Sequence, residues 1–403
     1  MSRLSEMIKE LCPDGVEYKK LGEIAKIVRG ASPRPIKKFI STDGDGVPWV
    51  KIGDAEIGAK YISKTVEKIT VEGAQKSRRV SLGDLILSNS MSFGRPYLMR
   101  IEGYIHDGWL AITQFDEVYL SDFLYYLLSS GDVQAEMQKK ASFGGAVRNL
   151  NSDIIKEIYL PVPPLPIQNE IVKLLDNFTE LTAELTAELT AELALRKKQY
   201  SFYRDSLLNF SRDDADVEWR TLGEVCDLIA GGEVPKGEFS QVATEEYGIP
   251  VYSNGIGEKA LYGFTKSPRI TQPCVTISAR GTIGYSALHL QPFYPVIRLI
   301  VAIPYKHLDV KYLFYILQMT TFKSPQTGIP QLTIPMVKTY SIPIPPLETQ
   351  AKIVSILDRF DALCHDLTQG LPAEIAARKK QYEYYRDKLL TFPRKEESAR
   401  SAR

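Results

Sequence analysis

Cationic and amide side chains set in glycine- and proline-rich turns are the residues here whose types and spacing could do chemistry. Phosphates attract Lys and Arg, and base edges are read by Arg, Lys, Asn, Gln and Ser. In the first half, Arg29-Gly30-Ala31-Ser32-Pro33-Arg34-Pro35-Ile36-Lys37-Lys38 combines charge with rigid turn residues. Lys51 follows a strand-like run, and Arg78 and Arg79 are adjacent. Ser88-Asn89-Ser90-Met91-Ser92-Phe93-Gly94-Arg95 closes a strand pattern in small polar residues plus one arginine, and a further loop carries Arg148 and Asn149. The second half offers Lys236, Ser253, Asn254, Lys259, Arg269, Arg280, and the stretch from Gln326 to Gln331. Arg95 and Arg280 stand near matching positions after the runs LILS and VTIS. Taken singly, each of these residues is more often a solvated charge or a turn former, so the reading rests on their grouping.

Catalytic patterns are missing from the sequence. Transfer of a methyl group to adenine needs Asn/Asp-Pro-Pro-aromatic, yet the two Pro-Pro pairs sit in VPPL and IPPL. The nearest approach to a phosphate-binding GxxxxGK[ST] loop is GEVPKGE, where Glu238 replaces the lysine and would repel phosphate. Gly255 to Ala260 fits GxGxxA but opens no long helix. Asp14, Glu17 and Lys19 resemble a nuclease set, but Asp14 and Glu17 are too close to sit on separate strands, and the second half has Arg220 in place of Lys19. His106, His289, His307 and His365 have no metal-ligand spacing, and Cys12, Cys226, Cys274 and Cys364 form no CxxC pair. Scattered cysteines fit a reducing, cytoplasmic compartment. The start of the chain carries no signal-peptide pattern, and no apolar run reaches the roughly 18 residues of a membrane span.

The 403 residues are enough for two or three domains. Fifty basic against forty-nine acidic residues put the net charge at +1, so any affinity for nucleic acid must come from local patches.

What positions the loops is an internal repeat. ALRKKQYSFYRDSLLNF (194–210) returns as AARKKQYEYYRDKLLTF (376–392), identical at 12 of 17 positions. VEYKKLGEI (16–24) matches VEWRTLGEV (217–225), LILS (85–88) matches VTIS (275–278), and FLYYLL (123–128) matches YLFYIL (312–317). LPVPPL (160–165) matches IPIPPL (342–347). The offset falls from 201 to 182, so the second copy is the same module with shortened loops. Each copy opens with short β-like runs between Gly and Pro. A proline run then ends the globular part, and a helical pattern follows: Ile171, Leu174, Leu175, Phe178, Leu181 and Leu185, then Ile353, Ile356, Leu357, Phe360, Leu363 and Leu367.

The expected fold is α+β: two mainly β domains separated by a pair of long antiparallel helices forming a coiled coil, with pseudo-two-fold internal symmetry. The expected segments are a first domain over 1–160, a helical spacer over 161–213, a second domain over 214–342, a C-terminal helical spacer over 343–393, and a disordered charged tail over 394–403. A helix over 168–210 would be a rod of about 60 Å. Tyr200, Tyr203 and Leu207, with Tyr382, Tyr385 and Leu389, fall at i, i+3, i+7 and are expected to form its core.

Between the halves stands LTAELTAELTAEL, placing Leu181, Leu185, Leu189 and Leu193 every four residues. Four residues advance a helix by about 6 Å and about 40° past one turn. That excess nearly matches the roughly 34–36° rotation of one DNA base pair. The array is therefore expected to set distance and twist between the domains. The plainer alternative is a helix-forming repeat expanded by slippage.

This combination resembles the specificity subunit of a type I restriction–modification system, over essentially the whole chain. The TAEL array resembles the type IC subgroup, in which tetrapeptide number is linked to spacer length in a bipartite target. The entry pattern Pro164, Leu165, Gln168, Ile171, Leu175, Asp176, repeated as Pro346, Leu347, Gln350, Ile353, Leu357, Asp358, also resembles it. The resemblance implies a non-catalytic subunit that reads double-stranded DNA at two half-sites. Two methyltransferase subunits would dock on it, with restriction subunits in the full complex. It also implies no cofactor in this chain, with S-adenosylmethionine, ATP and Mg on the partner subunits. Arg204 and Arg386 lie in the duplicated block and are expected on a docking surface used twice. The competing reading is a two-domain coiled-coil scaffold that assembles proteins and touches no bases.

Overall fold

The computed structural model describes residues 3–395 except 42–44, 57, 90–92, 142–149, 236, 324–329 and 366–369. The chain divides into two units, residues 1–188 with 375–403, and residues 189–374.

In the first unit, β1 (Lys26–Arg29), β2 (Leu85–Ser88), β3 (Pro96–Met99) and β4 (Trp109–Thr113) pair antiparallel in the order β1-β4-β2-β3, with Tyr61–Ile62 added parallel to β3. Successive side chains point to opposite faces of a strand. Leu85, Leu87, Leu110 and Ile112 accordingly join one core with Phe123, Leu124 and Leu127 of α1 (Ser121–Ser129). Ile86, Tyr97, Trp109 and Ala111 face the other way and pack with Val50, Val80 and Ile105. Those three come from a second sheet formed by Glu67–Ile69, Val47–Val50, Gly103–Ile105 and Arg78–Val80. Both faces of the first sheet are covered, which is why its strands read as unbroken apolar runs. A ribbon of Glu17–Lys20 with Tyr159–Val162 leads to α2 (Leu165–Leu208), whose Ile167, Ile171 and Leu175 enter the same core as α1.

The second unit repeats the plan. β5 (Cys226–Ala230), β6 (Cys274–Ser278), β7 (Ser286–His289) and β8 (Leu299–Pro304) pair in the order β5-β8-β6-β7. Trp109 faces Ser88, and Leu299 faces Ser278, so the register is also repeated. α3 (Val310–Met319) covers this sheet as α1 covers the first, and Ile353 and Leu357 of α4 (Leu347–His365) enter its core. Among the described residues, the segment between α3 and β-ribbon Ser341–Ile344 shows no counterpart of the Gly131–Ala141 helix, and the repeat offset shortens there.

Each helix is fastened to its globular part in the same way. Gln168 is fully buried; its amide accepts from the Leu120 N–H (2.9 Å) and donates to the Val118 and Pro163 carbonyls (2.8 Å each). Gln350, also fully buried, accepts from the Asp309 N–H (2.8 Å) and donates to the His307 (3.1 Å) and Pro345 (2.8 Å) carbonyls. An acid further along the helix binds a tyrosine and a lysine: Asp176 with Tyr126 (2.5 Å) and Lys60 (2.7 Å), Asp358 with Tyr315 (2.7 Å) and Lys311 (2.5 Å). Asp122 occupies the place of Lys311, so the first unit recruits its cation from Lys60, which Asp122 also binds at 2.6 Å. Burial opposes the charge on Lys60, but these carboxylates outweigh it and hold the ammonium pKa above its ordinary value.

Two differences from the expected helices stand out. The C-terminal partner of α2 is two helices, α4 and α5 (Leu371–Leu390), with Gly370 and Pro372 at the junction. Glycine loses the most freedom in a helix, and proline is tolerated only in a first turn, so the chain restarts there. At the tail, Arg394 bridges Val16 and the Lys395 N–H donates to the Val16 carbonyl (3.1 Å), while 396–403 lie outside the described residues. Among the described residues, no helix is long and apolar enough to cross a membrane, and no group of three or more His, Cys, Asp or Glu could hold a metal.

Candidate nucleic-acid interface

In the first unit, backbone hydrogen bonds draw several of the candidate loops to one corner at the ends of β1, β2 and β4. The Gly30 N–H donates to the Trp109 carbonyl (2.9 Å), Asn89 N–H to Gly108 (3.0 Å), His106 N–H to Val50 (3.3 Å) and Leu150 N–H to Asn89 (2.9 Å). Asp107 ties the corner together. Its carboxylate accepts from the Ser32 hydroxyl (2.6 Å), and its carbonyl accepts from Arg29 Nε (2.9 Å) and Asn89 Nδ2 (2.8 Å). The Ser32 bond is the main reason the Asp107 carboxyl is held below its ordinary pKa. Beside it, burial pushes the His106 imidazole down. A neutral imidazole has one lone-pair nitrogen. It therefore accepts from either the Ile52 N–H (3.1 Å to Nε2) or the Gly108 N–H (2.8 Å to Nδ1).

The second unit builds the same corner with the same bonds. The Gly231 N–H donates to Leu299 (2.8 Å), Ala279 N–H to Arg298 (2.7 Å), Val296 N–H to Tyr252 (3.0 Å) and Leu332 N–H to Ala279 (2.8 Å). Asn254 adds a side-chain tie: its Nδ2 donates to the Arg280 carbonyl (2.6 Å), and its carbonyl accepts from the Thr282 hydroxyl (2.5 Å). Ser253 Oγ donates to Asn254 Oδ1 (3.1 Å). The Arg269 guanidinium lies over Gly232, where an added Cβ would meet its Nη1 at 2.3 Å.

Arg29, Ser32, Asn89, Ser253, Asn254, Arg269 and Arg280 are thus brought to the corners, with Gln331 exposed beside Leu332. Asn89 is buried and spends its amide on Asp107, so it positions the corner rather than presenting a donor to a ligand. Arg34 and Lys37 are exposed on the run that leaves Ser32, and Lys259 is exposed on the turn after Asn254. Lys51 is paired with Glu67 (2.6 Å) and Arg79 with Glu102 (2.9 Å); Arg78 is exposed on the second sheet, opposite Ile105. Ser90, Arg148, Asn149, Lys236 and Gln326 lie outside the described residues. Arg95 and Arg280 do not occupy matching positions. Ser88 N–H binds the Arg95 carbonyl (3.0 Å) as Ser278 N–H binds that of Tyr285 (2.8 Å), so Arg95 corresponds to Tyr285 and Arg280 to Ser90. Charge reaches the two hairpins from opposite limbs. Asp107 and Arg298 were missed by sequence reasoning; laying the two copies against each other at β4 and β8 would have shown Arg298 in the place of Gly108.

On the helices, the aromatic residues form a half-covered stripe. Tyr200 is buried, but Tyr203 and Tyr385 are 38% and 44% exposed, which corrects their expected place in a closed core. Tyr203 stacks on Phe360 with ring centroids 5.2 Å apart, Tyr385 tilts against Phe178, and Tyr382 shares a 2.9 Å hydrogen bond with Thr179. Two helices side by side cover only part of each stripe, leaving the rest to solvent. Leu181 is 61% exposed, Leu185 and Leu189 are half-buried, and Leu193 packs on the second core. Arg204 and Arg386 each bind the aspartate that follows, Asp205 and Asp387, at 2.8 Å.

The sequence profile described as "Type I restriction modification DNA specificity domain" matches this chain twice, over residues 13–195 and 215–377. A putative type I specificity subunit of Mycoplasma pneumoniae is 37% identical, over 69% of this chain and 84% of its own. A putative type I restriction enzyme specificity subunit of Haemophilus influenzae is 33% identical over 94% of this chain and 96% of its own. Among solved structures, a chain from work on complex assembly and conformational transition of the type I R-M system aligns with TM-score 0.70 and 19% identity, covering 93% of this chain and 97% of its own. The HsdS subunit of Thermoanaerobacter tengcongensis aligns with TM-score 0.55 and 19% identity, covering 94% and 96%.

Proposed function

The chain belongs to the family of type I restriction–modification specificity subunits, and from that premise we propose that it reads a bipartite DNA target, one half-site per unit, across a non-specific spacer. Subunits of this family recognise the DNA target, are themselves non-catalytic and bind no cofactor. The observation that carries the proposal is the loop corner built twice by equivalent hydrogen bonds. The framework is constant while the polar side chains at the corner differ: Arg29 and Ser32 in one copy, Arg269 and Arg280 in the other, with Arg29 and Arg269 exposed. A constant frame with different polar side chains is what two different half-sites require.

The exposed aromatic stripe and the paired basic blocks with Arg204 and Arg386 support a second role. Each helical segment offers a surface for one methyltransferase subunit, two per chain, with restriction subunits joining the full complex. S-adenosylmethionine, ATP and Mg belong to those partners, and the assembly works in the cytoplasm on duplex DNA. The test is to map methylated adenines in cells carrying this chain with its methyltransferase. A two-part motif that vanishes on deletion of this gene is expected; methylation at the same motif without the chain would refute the reading.

A further inference from the structure

The turn that closes the second corner holds an arginine where the backbone favours glycine. Val296–Leu299 is closed by the Leu299 N–H donating to the Val296 carbonyl (3.3 Å), and its third residue, Arg298, has φ of 82°. In that left-handed region an L side chain crowds its own backbone, so glycine is the usual occupant. The corresponding turn of the first unit, His106–Trp109, is closed by a 3.2 Å bond and has Gly108 in third place, but Gly108 does not lie in the left-handed region, so the strained backbone is particular to Arg298. There the His106 ring fills the space a Cβ would need; in the second unit Val296 replaces that histidine, so a side chain fits.

Nothing in the packing accounts for an arginine there. Arg298 is exposed, and among the described residues no hydrogen bond or ion pair engages its guanidinium. Its backbone, in contrast, is pinned. The Arg298 carbonyl accepts from Ala279 (2.7 Å), and the neighbouring Ile297 N–H donates to Gly232 (2.6 Å). Those contacts set the turn next to Arg280 and to the guanidinium of Arg269, which lies over Gly232. Strained residues on an over-determined backbone concentrate at functional sites. A phosphate contact needs no such rigid origin, because a flexible side chain on an unstrained loop reaches the DNA backbone equally well. A base edge does need it, since a guanidinium must meet the O6 and N7 acceptors of guanine together.

We propose that Arg298 is a base-reading residue of the second unit, selecting a guanine in its half-site. The inference rests on the DNA-reading function proposed above. The test compares the full chain with Arg298→Gly and Arg298→Lys, each with the partner methyltransferase, by genome-wide mapping of methylated adenine and by thermal melting. Glycine relieves the strain, so its variant should melt no lower than the parent. In both variants one position of one half-site should lose its preference for guanine by about tenfold, with the other half-site and the spacer unchanged. An unchanged motif, an even fall in occupancy across all sites, or a melting point lowered by glycine would each overturn the proposal. A parent chain that directs no two-part motif would sink the DNA-reading function itself, and this inference with it.

Discussion

Asn89 shows how a residue type that fits base reading can serve the frame instead. Its amide is buried and holds the Asp107 carbonyl, which also takes Arg29. Replacing it with alanine leaves a carbonyl less satisfied and a small void; Asn89→Ala should lose about 1–2 kcal/mol in denaturant unfolding. His289 gives a pH signature. Burial lowers its pKa from 6.5 to about 4, and it lies stacked on Phe293 with Nε2 3.0 Å from the Thr276 hydroxyl. The unfolded chain binds a proton below pH 6.5 that the folded chain refuses until about pH 4. Its stabilising contribution is thus full above 6.5 and drains away as pH falls through that window. His289→Gln should flatten the slope of unfolding free energy between those two values; an unchanged slope would assign it to other groups. At this scale the sequence offered residue types but not their direction. Asn89 points inward and Lys51 is taken by Glu67 because of partners brought from elsewhere in the chain.

At the level of elements, the repeat was legible because both copies must bury the same faces. The strands appear as apolar runs, and the start of each helix as Ile171–Leu175 and Ile353–Leu357. The break between α4 and α5 was also written in the sequence, as Gly370-Leu371-Pro372. One exchange between copies was not legible in either alone. The Pro161 carbonyl accepts from Tyr119 (3.0 Å), whereas the equivalent Pro343 carbonyl accepts from Tyr312 (3.0 Å). Position Tyr119 corresponds to Leu308 and position Tyr312 to Phe123, so the hydroxyl has changed element while its acceptor has not. Tyr119→Leu should cost about 2–4 kcal/mol, from the lost ring contacts and the orphaned carbonyl. Adding Phe123→Tyr should recover part of that loss. Denaturation of the single and double variants checks the coupling, and strict additivity would show that the two sites do not share the acceptor.

For the whole molecule, the proposed function is that of one DNA-reading module used twice, with α2 continuous through all three TAEL units. The corners would choose the half-sites, and the helical array would choose how far apart they are read. These two properties should therefore separate under mutation. The most direct measurement is the adenine methylation map of cells carrying the parent chain or a variant lacking one TAEL, each with the same methyltransferase. Both half-sites should persist while the spacer between them becomes shorter. Altered half-sites with an unchanged spacer would contradict the proposed function.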